Sequence, residues 1–288
     1  MSKKKITILG SSGQIGAYLT EYLRDRGHEV TEFDIVRHHG EDLTQIPNHN
    51  LDRAIKNADF VFFLAFTVGG SRYLKKFQHT FEFVNSNTRL MTNVFTLLEK
   101  YKTPFIFASS QMSNMGYSPY GLLKRVGEVY TEILKGLTVK FWNVYGVEKD
   151  REKSHVITDL IRKGFEEGEF EMLTDGTEER QFLYAEDCCE SLYTIMECFN
   201  DFKTTDPLHI TSFNSSTIKE VADIIQGQFN MIGMDHVRIK PGPGKDSVQM
   251  DKRNQADTFI TQWWLPKTSI SEGIAKVFNE MKKEYLSD

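Results

Sequence analysis

Between Ser110 and Lys124 the chain collects a hydroxyl, a phenol and an ammonium within the stretch FIFASSQMSNMGYSPYGLLKRVGE, Phe105 to Glu128. Tyr120 and Lys124 lie four residues apart. On a helix that spacing puts both on one face, so the cation is expected to stabilise a phenolate and draw a phenol pKa of about 10 downward. A tyrosine so treated is a base for the proton of an alcohol. The apolar run before it reads as a buried strand that delivers Ser109 and Ser110 opposite the phenol. Neighbouring strand residues face opposite ways, so only one of the two can serve. Ser110 is the first candidate and Ser109 the fallback. Moving a proton at an alcohol oxygen calls for a hydride acceptor at the carbon, and the elements ahead of this stretch are the place to look for one.

Residues 5–34 read as strand, glycine turn, helix and strand, the first unit of a dinucleotide-binding fold. Gly10, Gly13 and Gly16 let the backbone turn tightly and approach a pyrophosphate, with Ser12, Gln14 and Ile15 in the turn and the helix N-terminus facing the anion. Their GxxGxxG spacing departs from the GxGxxG fingerprint and is weak alone. The apolar run before it, the amphipathic helix after it and Asp34 ending the next strand give it weight. A carboxylate there bonds both adenosine ribose hydroxyls and repels a 2′-phosphate, which predicts NAD over NADP, with Arg37 near enough to temper the preference. Asp42, next to Leu43, is read either as a contact of the adenine amino group or as a plain loop carboxylate. The run FVFFLAF, ending in Leu64, Ala65 and Phe66, is of the kind that buried parallel strands carry. Residues 75–101 then read as one long helix with Asn87 inside it.

Hydrophobic residues make up 40% of the 288, enough for one large α/β domain or a domain with a smaller appendage. A net charge of -5 gives no basic footprint, so nucleic acid is not an expected partner. No stretch approaches the roughly 18 apolar residues of a membrane span; no membrane partner is expected, and the reading is a cytoplasmic protein. Cys188, Cys189 and Cys198 lack metal-ligand spacing and are expected only to pack, with no metal.

The ordered set GSSGQIG, Asp34, FFLAF, Asn87, FIFASS and YGLLK followed by Gly127-Glu128 resembles the extended short-chain dehydrogenase/reductase family, in particular its NAD-dependent epimerases and dehydratases acting on nucleotide sugars. The likeness continues through Phe141-Trp142-Asn143-Val144-Tyr145-Gly146, Thr174-Asp175-Gly176, Arg180 to Asp187, Trp264 to Thr268 and Glu272-Gly273-Ile274, and so spans almost the whole chain. It implies an α/β fold: a Rossmann-type doubly wound parallel sheet over 1–146 with a return of 180–212, and a smaller mixed α/β substrate-binding region over 147–288. It implies NAD as cofactor, Tyr120 as base or acid for a sugar hydroxyl, Lys124 on the nicotinamide ribose and Ser110 as hydroxyl partner. Leu64, Ala65, Phe66, Asn87, Ser109 and Trp142 would line the cofactor. Asn143 and Arg180 would meet the diphosphate of a nucleotide-diphosphate sugar, the guanidinium because its planar fork bonds phosphate oxygens in pairs. The bland alternative for Arg180 is a surface ion pair with Glu178 or Glu179. Gln111, Met112, His155 and Asp246 are further substrate candidates. His155 is read equally as a helix cap or a solvent-facing side chain, and Lys245 and Arg253 compete with Asp246. A homodimer through helices 75–101 and 117–135 is the implied assembly; Val126, Tyr130 and Ile133 fit it and fit packing within the chain as well.

Three departures bear on the reaction. Only nine residues separate Ser110 from Tyr120, where the family carries a longer loop that walls the sugar. The pocket is therefore expected to be more open, or Gln111 to Asn114 to touch the substrate instead. Gln111 and Met112 stand where sugar dehydratases carry a carboxylic pair, and an amide and a thioether cannot move that proton. A 4,6-dehydratase is disfavoured. The cysteine of bifunctional epimerase-reductases is absent too. What remains is hydride transfer at a sugar carbon, usually C4: a nucleotide-sugar 4-epimerase first, a 4-dehydrogenase or 4-keto-sugar reductase as the alternative, and a non-catalytic NAD-binding regulator last.

Overall fold

A computed structural model describes residues 3–202, 206–249 and 255–286. The main sheet uses β1 (Lys5–Leu9), β2 (Glu29–Phe33), β3 (Phe60–Phe63), β4 (Phe105–Ser110), β5 (Leu137–Phe141) and β9 (Leu208–Ile210) in the order β2-β1-β3-β4-β5-β9, all parallel. β3, β4 and β5 are buried from end to end, because helices cover both faces of the sheet. On one face α1 (Gln14–Asp25) and α7 (Ala185–Glu197) enclose a core with Ile6, Ile8, Leu19, Phe62, Cys188 and Cys189. On the other, α2 (His49–Lys56), α4 (Phe81–Tyr101) and α5 (Pro119–Ile133) pack on Val61, Phe63, Phe105 and Phe107. The strand order reverses between β1 and β3, so the carboxyl ends of the strands open a crevice there.

A smaller layer follows. β6 (Asn143–Tyr145), β8 (Glu179–Tyr184) and β10 (Ser215–Thr217) form one sheet, and β7 (Glu169–Glu171) pairs with β11 (Arg238–Lys240). Helices α6 (Val156–Glu166), α8 (Ile218–Met231) and α9 (Ile270–Tyr285) close over them around Tyr145, Ile161, Phe182, Phe229 and Phe278. Within 180–212, α7 and β9 lie with the main sheet, whereas β8 belongs to the smaller one.

The single helix expected over 75–101 is instead two, α3 (Ser71–Phe77) and α4. Thr80 makes the break. Its hydroxyl donates to the Phe77 carbonyl at 2.8 Å and accepts from the Phe83 amide at 3.3 Å, closing one helix and capping the next. Trp264 is buried in the core and Trp263 packs on Phe202. Among the described residues no helix is long and apolar enough to cross a membrane.

Candidate active site

The crevice at the β1 and β3 ends is shaped by contacts only glycine allows. Gly10 sits at φ +90°, and a Cβ on it would stand 2.7 Å from the Ala65 amide nitrogen. One on Gly16 would stand 2.1 Å from the Gly10 carbonyl oxygen. The turn therefore lies flat against Leu64 and Ala65, with α1 starting immediately behind it. No side chain caps α1 and no acidic residue stands in its first turn, so its N–H groups and positive dipole end remain directed at the crevice. Ser11 Oγ and Gln14 Nε2 are buried there without a hydrogen-bond partner. A cradle of this form with unspent polar atoms fits a dinucleotide pyrophosphate. Asp34 stands at the end of β2, where its Oδ2 accepts from the Ser12 amide at 2.9 Å and its Oδ1 from the Val36 amide at 3.0 Å. Arg37 is turned to Glu32 at 2.7 Å. Asp42 holds its own loop, accepting from the Thr44 amide and hydroxyl, both at 2.8 Å, while Leu43 points into the core. Asn87, expected near the cofactor, is fully buried in α4. It accepts from the Thr67 amide at 2.8 Å and donates to the carbonyls of Thr67 and Phe83, pinning the loop that follows β3.

At the end of β4, Ser110 and not Ser109 meets the phenol. The Ser110 hydroxyl lies close enough to the Tyr120 phenol to lower its pKa, and it accepts from the Met112 amide at 3.2 Å. Ser109 faces the other way and donates to Glu128 at 2.5 Å. Ser118 caps α5 and Pro119 opens it. Gly127 lets this helix lie against β4, for a Cβ there would overlap the Phe107 ring at 2.2 Å. Lys124 then reaches the Ala108 carbonyl at 2.6 Å, with its ammonium 3.8 Å from the centroid of the Phe66 ring. The electrostatics run opposite to the simple expectation from spacing. Burial pushes the Tyr120 phenol up to about 12, opposed by the nearby Ser110 hydroxyl, and pulls Lys124 down to about 7, opposed by the Glu128 carboxylate. Lys124 is directed at a carbonyl and an aromatic face, so desolvation outweighs the charge that four-residue spacing promises.

A cleft of about 1310 Å³, counted to its open mouth, leads from Ser110 and Tyr120 into the smaller layer, and Met112, Trp142, Asn143, His155, Arg180 and Asp246 line it. Trp142 Nε1 donates to His209 Nδ1 at 3.3 Å, and burial holds that imidazole down at about 4. Asn143 donates to the Gln181 carbonyl at 3.4 Å. His155 occupies the N-cap position of α6 without capping it. Its ring and amide both bond Glu148, at 2.8 and 2.7 Å; burial works against its charge, and the carboxylate raises its pKa above the usual value nonetheless. Arg180 pairs with Asp246, not with Glu178 or Glu179, although it also donates to the Glu179 carbonyl at 2.6 Å. Two candidates far apart in the chain are thus one ion pair in the cleft wall. Lys245 is exposed beside Asp175, and Arg253 lies outside the described residues.

The short span between Ser110 and Tyr120 does not leave that side open. It folds as a single 3-10 turn at Gln111–Asn114 with Gln111, Met112 and Ser113 buried. The segment 246–249 lies over it: Val248 is buried among Met112, Met115 and Tyr120, and its carbonyl accepts from the Tyr117 hydroxyl at 3.4 Å. Gln249 Oε1 accepts from Gln111 at 2.8 Å. Of this strap Asp246 is a candidate from the sequence, but Val248 and Gln249 escape sequence reasoning, since Gln111 and Gln249 are 138 positions apart with no periodic signal joining them. Glu128 is visible only as part of a motif. Its carboxylate gathers Ser109, Arg125 and Lys140 behind the site.

Comparison with known proteins gives a consistent picture. The family described as NAD dependent epimerase/dehydratase matches residues 6–210. The chain is similar to a UDP-N-acetyl-alpha-D-glucosaminuronate decarboxylase of Bacillus cytotoxicus, 27% identical over 77% of this chain and 79% of that one. In fold it is similar to a GDP-6-OMe-4-keto-L-xylo-heptose reductase from C. jejuni, with a TM-score of 0.83 at 19% identity over 99% of each chain. It is likewise similar to the UDP-glucose 4-epimerase of Thermotoga maritima, with a TM-score of 0.79 at 18% identity over 97% of this chain and 99% of that one.

Proposed function

The chain belongs to the NAD-dependent epimerase/dehydratase family of nucleotide-sugar enzymes, and on that premise we propose that it is a 4-epimerase, moving a hydride off C4 of a nucleotide-diphosphate sugar and back onto the other face. The observation that carries this is the buried pair of Ser110 and Tyr120 lining one cleft, where the neighbouring side chains, Gln111 and Met112, cannot transfer a proton. One acid–base group serves alcohol and ketone, and elimination of water would need a second.

NAD would be held by the Gly10–Gly16 turn, Asp34 and Lys124, and would supply the hydride acceptor when bound. Tyr120 takes the proton of the sugar hydroxyl and returns it, with Ser110 bridging phenol and sugar oxygen. Asn143 and Arg180 hold the diphosphate, Arg180 by exchanging Asp246 for phosphate oxygens. The cleft retains the keto sugar while it turns. Across its mouth the Gly70 amide donates to the Lys153 carbonyl at 2.8 Å, and Arg72 pairs with Asp159. A second reading, a 4-keto-sugar reductase, draws on the Tyr120 pKa of about 12, which suits a proton donor. The homodimer belongs to the proposal too. Val126, Val129 and Ile133 on α5 and Phe81 on α4 leave an apolar face exposed, while Tyr130 is half-engaged in stacking on Phe95.

Interconversion of C4 epimers of nucleotide sugars, followed by NMR with catalytic NAD, tests the reading. Turnover that falls about 10²- to 10⁴-fold in Tyr120→Phe while nucleotide binding persists supports it. Equal turnover by wild type and Tyr120→Phe overturns it.

A further inference from the structure

We infer that Gln249 is a specificity-determining residue, which reads an uncharged oxygen substituent of the sugar, a hydroxyl or an acylamino carbonyl, beside the Ser110–Tyr120 pair; the inference rests on the function proposed above. Gln249 lines the same cleft as Ser110, Met112, Tyr120 and Asn143. It arrives on the strap from the C-terminal side of the chain, where the short Ser110–Tyr120 turn leaves room for it.

Its amide is oriented from three directions. Gln111, itself buried, donates to Gln249 Oε1 at 2.8 Å. Gln249 Nε2 reaches Asn143 Oδ1 at 3.5 Å, the outer limit of a hydrogen bond. The Gln249 backbone amide is held at 3.4 Å by Asp246, the residue that pairs with Arg180. Asn143 Nδ2 donates to the Gln181 carbonyl, which turns Asn143 Oδ1 toward Gln249 Nε2 and leaves Gln249 Oε1 to accept from Gln111. The weak bond to Asn143 leaves the NH2 group with donor capacity directed into the cleft. A donor held in this way discriminates, because a ligand lacking the matching oxygen leaves it desolvated and unpaired.

The chemistry offered at this end is neutral. The side chains that line it there, Met112, Asn143 and Gln249, carry no charge, and Arg180 is assigned to the diphosphate. A ring hydroxyl or an N-acyl oxygen suits a primary amide; a carboxylate would instead seek a cation.

Binding measured by calorimetry on the NAD-loaded protein separates what the sugar contributes from what the nucleotide contributes. UDP is compared with UDP-glucose and UDP-N-acetylglucosamine, and GDP with GDP-mannose. In Gln249→Leu nucleoside diphosphate affinity stays at the wild-type value; Gln249→Glu keeps the acceptor for Gln111, loses the NH2 donor and adds a charge, so its sugar increment is read against its own nucleoside diphosphate affinity. The additional affinity given by the sugar falls about tenfold in both, the loss of one hydrogen bond. Retention of that increment in both variants overturns the inference. So does retention in Gln249→Glu alone, which would reduce Gln249 to a prop for Gln111. Neither result touches the proposed reaction, which the Tyr120→Phe comparison tests separately.

Discussion

Lys124 illustrates what a single residue's neighbours decide. Its spacing from Tyr120 is local and legible in the chain, as is the choice of a tyrosine base. Its burial between Ala108 and Phe66 is not, since those partners come from β4 and the loop after β3. The burial has a thermodynamic consequence. Lys124 falls from an ordinary 10.5 to about 7 in the folded protein, so between those values unfolding takes up a proton. Stability from this group is therefore lowest below pH 7 and rises with pH through the window. Lys124→Met removes the contribution, and urea titrations of wild type and variant at pH 7, 8 and 9 are expected to diverge by up to about 1.4 kcal/mol per pH unit, with wild type gaining. Parallel curves would show that Lys124 keeps its proton throughout. The Arg180–Asp246 pair was equally out of reach of sequence patterns. Each residue carried a recognisable role, yet nothing local says that they meet across 66 positions.

The glycine turn and the strands are the elements best written into the sequence, because continuous apolar runs and close glycine spacing are short-range signals. A methyl group on Gly16 would sit 2.1 Å from the Gly10 carbonyl oxygen. Gly16→Ala is therefore expected to open the turn, weaken NAD binding at least about tenfold by calorimetry and lower the melting temperature. Asn87 shows the opposite case. Its place inside a helix gives no local sign of its partner, but tertiary structure makes it the clamp on Thr67. Asn87→Leu leaves the Thr67 amide and carbonyl without that partner, and a loss of about 1–3 kcal/mol in chemical denaturation is the expected result. The division of 75–101 into α3 and α4 had a usable signal in Thr80, whose capping preference was overshadowed by the helical spacing around it. The strap over the short active-site turn had none.

On the scale of the whole molecule, the parallel sheet and the smaller layer beyond it bring Ser110 and Tyr120, at the proposed nicotinamide end, and Arg180, at the proposed diphosphate end, into one cleft. The apolar face on α4 and α5 is the molecule's outward counterpart. Ile133 is 70% exposed and Phe81 76%, and Ile133→Lys with Phe81→Glu is expected to convert a dimer to a monomer in light scattering while the fold is kept, because charge is desolvated only in the assembled form. An unchanged mass would remove that face from the assembly. The account as a whole turns on the fate of the sugar at C4. Nucleotide sugars incubated with the protein and catalytic NAD, with C4 configuration read by NMR, give the most direct answer. The predicted result is a mixture of the two C4 epimers with no net rise at the nicotinamide band. NADH accumulating in proportion to a released ketone, or no change at C4 in any nucleotide sugar, would contradict it.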